Sequence, residues 1–413
     1  MFEADTTEQD DLRGGRPPWT TGFRRPVRVT LDRSLQCDVV IIGAGITGAL
    51  VAQHLTRLGH KVTMIDRERA GFGSTAASTA MLQWEIDCPL GELTAFYGFD
   101  RAANIYRRSL QAVSGLKSLV DELALGCAFR HRSSLYIAGG DVGASGLLAE
   151  HRLRERAGLP GAYLDYFTLK REFDFDREAA IISPGSADAD PLLLAHALIA
   201  DALSHGAALY DAEAVGYNSF GHGVVVALDN GHEIQARQVI LATGYVMPDF
   251  VRTELHKTAS SWAIATPPQV PEALWRDGVL IWEASDDYLY ARTTGDNRII
   301  VGGEDDEDVT EPSERDALMP AKAVAILRKL KLLRPAADAT AEFVWSGAFG
   351  ETLDGLPLIG QVPGYPAVFA AYGYGGNGIT FSFLASRIVA KMIAGDREDW
   401  YDDLAIDRPL PRA

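Results

Sequence analysis

Cys37-Asp38-Val39-Val40-Ile41-Ile42-Gly43-Ala44-Gly45-Ile46-Thr47-Gly48 is the stretch on which the fold turns. Four consecutive aliphatic residues bounded by glycine suit a strand buried on both faces within a parallel sheet. The glycines fall in the G-x-G-x-x-G spacing, and each has a separate job. Gly43 permits a tight turn, Gly45 lets the backbone approach a pyrophosphate, and Gly48 lets the next helix lie against the strand. The pattern predicts that helix over about 46–58, with Ile46 and Thr47 in the first turn, where free N–H groups and the positive dipole end face phosphate. Gly59 ends it. Lys61-Val62-Thr63-Met64-Ile65 then reads as a second strand, closed by Asp66 and Arg67, and a carboxylate there accepts hydrogen bonds from a ribose diol.

The residues after Asp66 separate the possible dinucleotides. Arg69 to Gln83 is a run of small and hydroxyl residues, including Ser74, Thr75, Ser78, Thr79, Ala80, Met81 and Leu82. A nicotinamide enzyme would continue regular βα alternation here, whereas small side chains let the backbone lie along a longer cofactor and satisfy its oxygens. Two distant segments agree. Val224 to Leu228, a turn at Asp229-Asn230-Gly231 and Ile234 form a meander that leads into Gln238-Val239-Ile240-Leu241-Ala242-Thr243-Gly244, a second buried strand. Near the C-terminus, Asp354-Gly355-Leu356-Pro357-Leu358-Ile359-Gly360 precedes a strand at Val368–Ala371. Tyr372-Gly373-Tyr374-Gly375-Gly376-Asn377-Gly378-Ile379-Thr380 follows, and then a helix from near Phe381 to Ala394. A second glycine-rich turn into a helix is a second positive dipole end, suited to the charge on a reduced flavin ring. FAD is the cofactor this pattern favours.

With these motifs in view, the chain resembles the D-amino-acid oxidase superfamily of FAD-dependent oxidoreductases, from about Gln36 to Gly395. The resemblance implies that Ala80, Met81 and Leu82 border the isoalloxazine and that Gly375 to Thr380 face its pyrimidine end. The expected fold class is α/β: a discontinuous Rossmann-type FAD-binding domain over 33–125, 188–255 and 344–398, with an antiparallel-sheet substrate domain over 126–187 and 256–343. Residues 1–32 read as a flexible arm, with Glu3, Asp5, Glu8, Asp10 and Asp11 crowded together, and 399–413 as a tail. Within the substrate domain, strands are expected around Ser134–Ile137, Trp262–Ala265, Tyr288–Ala291 and Arg298–Val301. Helices are expected over about 102–124 and 191–205.

A net charge of -17 argues against nucleic acid and anionic membrane surfaces as partners. Cys37, Cys88 and Cys127 fit neither a zinc site nor a disulfide framework, which favours a reducing, cytoplasmic compartment. No apolar run is long enough to span a membrane. The nine histidines form no metal-binding motif, and no serine sits in a G-x-S-x-G elbow, so hydrolase and metalloenzyme chemistry lack support.

A flavin accepts a hydride, so the protein has mainly to position a C–H bond. The resemblance implies a carboxylate-binding arginine just before Asp354, but Phe349 stands at that place, which puts an α-amino-acid substrate in doubt. Tyr288, Tyr290 and Arg292 share one face of a strand and are the candidate substrate-positioning set, with Arg292 able to replace the missing guanidinium. Glu351, Trp345, Tyr374 and the run Gln83-Trp84-Glu85 are further candidates near the ring, and Lys257 is a candidate charge for oxygen reduction. The flavin is expected to be non-covalent, because no cysteine follows Cys127 and no histidine lies in the Ser74–Gln83 run. The leading reading is hydride removal from a small amine or amino-acid-like substrate to give an imine, with oxygen or an electron carrier as acceptor. A hydroxy-acid dehydrogenase of the same fold and a non-catalytic flavin-binding subunit are the alternatives.

Overall fold

The computed structural model describes residues 9, 11–23, 27, 29–140, 142–221 and 223–409. Two sheets organise them. In the eight-stranded sheet, Leu35–Ile42 is central, parallel to Val62–Asp66 on one side and to Glu233–Leu241 on the other. Ala208–Asp211 and Tyr365–Tyr372 continue the parallel order outward, and Leu358–Val362 closes one edge antiparallel. The aliphatic run is explained by burial on both sides. Val39 and Ile41 join a core with the helices Ile46–Arg57, Pro191–Ser204 and Gly378–Ile393, while Val40 and Ile42 join a second core with Val224, Val226 and Leu241. The meander is present as strands Ala214–Phe220, Gly223–Leu228 and Glu233–Leu241, with Gly231 at φ 82° in its turn.

The ten-stranded sheet runs Arg13–Gly15, Phe343–Thr352, His256–Ala265, Ile299–Asp306, Leu289–Thr293, Leu280–Ala284, Arg130–Ala138, Ala179–Asp188 and Met81–Leu82, with Ala162–Asp165 beside Ala179–Asp188. It is antiparallel except where Leu280–Ala284 runs parallel to Arg130–Ala138. The helix Pro312–Leu333 packs Ala323, Ile326, Leu330 and Leu333 against Trp262, Ile264 and Ile281 of this sheet.

Several expected boundaries shift. Residues 344–352 and Met81–Leu82, assigned by sequence to the flavin domain, lie in strands of the ten-stranded sheet. The arm over 1–32 is docked where it is described. Arg13–Gly15 pairs with Trp345–Gly347, the Arg13 guanidinium is fully buried and donates to Phe72 O, and Trp19 Nε1 donates to Ala76 O at 2.6 Å. Of the acidic residues there, Glu3, Asp5, Glu8 and Asp10 lie outside the described residues, and Asp11 pairs with Arg67. The expected tail is also packed through residue 408: Tyr401, Leu404 and Ile406 are buried, and Arg408 forms a buried ion pair with Asp354. The last helix begins at Gly378, three residues earlier than its apolar pattern suggested, because Gly378, Ile379 and Thr380 already have helical geometry.

Candidate active site

Both sheets line one cavity of about 700 Å³, within the range that ligand-binding clefts occupy. Its wall includes Gly43, Gly45, Ile46, Thr47, Asp66, Arg67, Ser74, Thr75, Ser78, Thr79, Met81, Thr243, Gly244 and the turn Gly375 to Ile379. Residues drawn from four separated stretches of sequence therefore meet on one surface.

At the fingerprint end the glycines are held by contact. Gly43 has φ 106°, and a Cβ on it would lie 2.3 Å from Ala242 O. A Cβ on Gly48 would lie 2.0 Å from Gly43 O, so this glycine sits behind the cavity wall and sets how closely helix and strand approach. Thr75 Oγ1 accepts the Ile46 N–H at 2.9 Å and tethers the hydroxyl run to the helix start. Asp66 accepts from Ala44 N–H at 2.6 Å and from Glu68 N–H at 2.9 Å, and burial pushes its carboxyl up to about 6. Arg67 pairs with Asp11 and, at 3.8 Å, with Glu213. Ser74 Oγ is buried at the wall with no hydrogen-bond partner. Close backbone, a helix start and an orphaned hydroxyl together suit a long phosphate-bearing ligand.

The far end is built by cross-links to the last helix. Asn377 Nδ2 donates to Gln83 O at 3.2 Å and Glu85 O at 2.8 Å, and Thr380 Oγ1 donates to Gln83 O at 2.8 Å. Thr380 thus works behind the wall. Thr47 Oγ1 bonds Ser382 Oγ at 2.8 Å and donates to Tyr374 Oη at 3.3 Å, joining the first and last helices. Of the trio expected to border the ring, Met81 lines the cavity. Ala80 turns the chain with φ 52°, and Leu82 is buried in the core. Gln83 lines the cavity, whereas Trp84 donates to Pro184 O, and Glu85, fully buried, bonds Ser134 and Ser186. Trp345 and Tyr374 line the wall, and Trp345 Nε1 donates to Ala77 O at 2.9 Å.

Tyr288 and Tyr290 line the same cavity, their ring centroids 6.1 Å apart. The Tyr290 ring lies across Gly302, whose Cβ would fall 2.1 Å from Tyr290 Oη. The Tyr288 hydroxyl donates to Asp305. Tyr245, Trp282 and Phe349 complete an aromatic end, together with Asp87, which accepts the Gly376 N–H at 2.6 Å. Sequence reasoning passed over Asp87 and Tyr245. Each follows a recognised motif, two residues after Glu85 and directly after Thr243-Gly244, so adjacency was the available signal.

Two expected substrate residues are not at the wall. Arg292 does not replace the missing guanidinium: it is buried behind the cavity, donating to Thr79 O and to Ala189 O at 3.1 Å and lying 3.7 Å from Asp188. Glu351 is half-buried outside the lining, with its carboxyl raised to about 7 by burial and by Glu307 and Asp305. Lys257 is an exposed residue paired with Glu307 at 3.0 Å.

A parallel sheet with a glycine-rich βα turn, joined through one cavity to an antiparallel sheet, defines a dinucleotide-dependent enzyme fold. Residues 38–392 match the family described as DAO, FAD dependent oxidoreductase, and the chain belongs to that family. It is similar to the gamma-glutamylputrescine oxidoreductase of Escherichia coli (strain K12), 27% identical over 378 residues, covering 89% of this chain and 86% of that protein. It is also similar to the glycine oxidase of Geobacillus kaustophilus (strain HTA426), 25% identical over 383 residues, covering 89% of this chain and 95% of that protein. The crystal structure of glycine oxidase from Geobacillus kaustophilus shares the fold, with a TM-score of 0.75 at 22% identity over 91% of this chain and 99% of that one.

Proposed function

We propose that this FAD-dependent oxidoreductase binds FAD along the whole cavity and oxidises the C–N bond of a small amine or amino-acid-like substrate. The flavin supplies a hydride acceptor, and the amine leaves as an imine that water hydrolyses. The observation that carries the reading is the single cavity lined by both Gly45 and Gly376. Gly43, Gly45 and the N–H groups of Ile46 and Thr47 hold the pyrophosphate, Asp66 the ribose, and Ser74, Thr75, Ser78 and Thr79 the remaining oxygens. Thr243-Gly244 and Gly375 to Gly378 flank the ring system. Tyr288 and Tyr290 fix the substrate against it. The antiparallel sheet serves as the substrate domain. The flavin is held without a covalent bond, since no cysteine or histidine is among the described residues lining the cavity. Three unpaired cysteines suit a cytoplasmic setting, and no described helix is long and apolar enough to cross a membrane.

The purified protein is expected to carry the visible absorption of oxidised flavin and to lose it under anaerobic mixing with an amine or amino-acid panel. Bleaching by hydroxy acids alone would transfer the enzyme to C–O oxidation. Bleaching by nothing in either panel would leave a flavin carrier. Peroxide formation in air, set against dye reduction without air, separates oxygen from a carrier as acceptor.

The role given to Asp66 has a pH signature. The carboxyl titrates at about 6 in the unliganded protein, and the ribose hydroxyls favour its charged form. Affinity for FAD should therefore be flat above pH 6 and fall below it, by up to tenfold per pH unit. Fluorescence titration of the apoprotein measures this directly. Asp66→Asn should lower affinity at neutral pH and flatten the profile, and a wild-type profile already flat between pH 5 and 8 would exclude the role.

A further inference from the structure

Resting on the proposed C–N oxidation, we infer that the substrate is a cationic amine without a carboxylate on the oxidised carbon, and that Asp87 binds its ammonium group and takes the proton which the nitrogen gives up before the neutral amine loses a hydride. Charge at the aromatic end carries the argument. Among the described lining residues the one cationic side chain is Arg67, which sits beside Asp66 at the opposite end and is paired with Asp11 and Glu213. Arg292 spends its donors on Thr79 O and Ala189 O. Phe349 lines the cavity with carbon. An α-carboxylate brought to Tyr288 and Tyr290 thus finds no guanidinium or ammonium to meet it.

It finds negative charge instead. Asp87 is solvent-accessible although protein surrounds it, because its accessible face is the cavity. One of its oxygens accepts the Gly376 N–H, which orients the carboxylate and leaves it open to a ligand. The electrostatic surroundings of Tyr245, Tyr288 and Tyr290 all include Asp87, so the acid and the three rings share one end of the cavity. Trp282 stands opposite Tyr290 across the neighbouring strands and lines the same cavity. Asp305, held by the Tyr288 hydroxyl, lies close enough to raise the Asp87 carboxyl, while Lys322 and Lys329 partly offset its own charge. A carboxylate beside aromatic faces in a cavity is a receptor for an ammonium ion. The same field repels an anion.

The test uses the holoenzyme and pairs of substrates that differ only by the carboxylate: alanine with ethylamine, phenylalanine with phenethylamine, leucine with isopentylamine. Anaerobic flavin reduction should favour the amine of a reactive pair by at least about tenfold in kcat/KM. Asp87→Asn should raise KM for the amine by roughly 10- to 100-fold, the loss expected for a charge-assisted hydrogen bond. It should also narrow the gap between amine and amino acid while leaving flavin content and spectrum unchanged, and Asp87→Glu should recover part of the KM. Preference for the amino acid in wild-type enzyme overturns the inference whether or not the variants fold. So does an Asp87→Asn enzyme that sheds its flavin or keeps a wild-type KM. If no member of any pair reduces the flavin, the C–N reading fails first, and this inference falls with it.

Discussion

Gly48→Ala should leave the protein with less than about a tenth of its bound flavin and lower its melting temperature by roughly 5 °C. The new Cβ would lie 2.0 Å from Gly43 O, a contact with backbone that no rotamer can relieve. Gly43 is held in place, because its own N–H donates to Ile65 O at 2.8 Å. The helix Ile46–Arg57 must then move away from the sheet. Its first-turn N–H groups move with it, and they are the donors assigned to the pyrophosphate. Overpacking of this kind costs about 1–3 kcal/mol, and more where only backbone can yield. The ratio of visible to ultraviolet absorbance and a thermal melt measure the two losses. A variant with full flavin and an unchanged melt would show that helix and strand tolerate separation, contrary to the role argued for Gly48.

Arg408→Ala should be nearly as damaging, from the opposite end of the chain. Arg408 and Asp354 are joined at 2.7 Å with side chains 1% and 0% exposed, and Arg408 also donates to Leu356 O and Pro357 O. Burial works against the Asp354 charge, yet Arg408 and the Tyr97 hydroxyl hold its carboxyl below the usual aspartate range. Removing the guanidinium strands a buried charge and two carbonyls, at a cost of about 3–5 kcal/mol. The penalty should be full at neutral pH and shrink in acid, where an unpaired Asp354 takes up a proton. Urea titrations at pH 7.5 and pH 5 test this. Adding Asp354→Asn should recover stability, since it removes the stranded charge. Equal stability of wild type and Arg408→Ala at pH 7.5 would refute the account. Function should suffer too, because Asp354-Gly355-Leu356-Pro357 leads into the strand pair that delivers the Gly375 turn.

The sequence was most legible where one residue type has one physical use. Gly43 and Gly48 could be placed because a tight turn and a helix contact each demand glycine. The buried strand was legible because both of its faces are covered. The hidden parts depend on partners far away in sequence. Residues 344–352 fall in the flavin domain by position, and only the pairing of Phe343–Thr352 with His256–Ala265 assigns them to the other sheet. Arg292 shares a face with Tyr290, but alternation says nothing of depth, and the carbonyls of Thr79 and Ala189 capture it. Asp87 carries no motif. Its meaning comes from Gly376, 289 residues away, whose N–H orients it.

The docked start of the chain bears on assembly. Leu12 lines the cavity, its carbonyl accepts the Ala348 N–H at 3.0 Å, and Arg13 is sealed beneath it. Residues 13–15 therefore settle only once their partner strand Phe343–Thr352, far later in the sequence, is in place. Trimming the chain to begin at residue 33 should consequently speed flavin uptake and release alike.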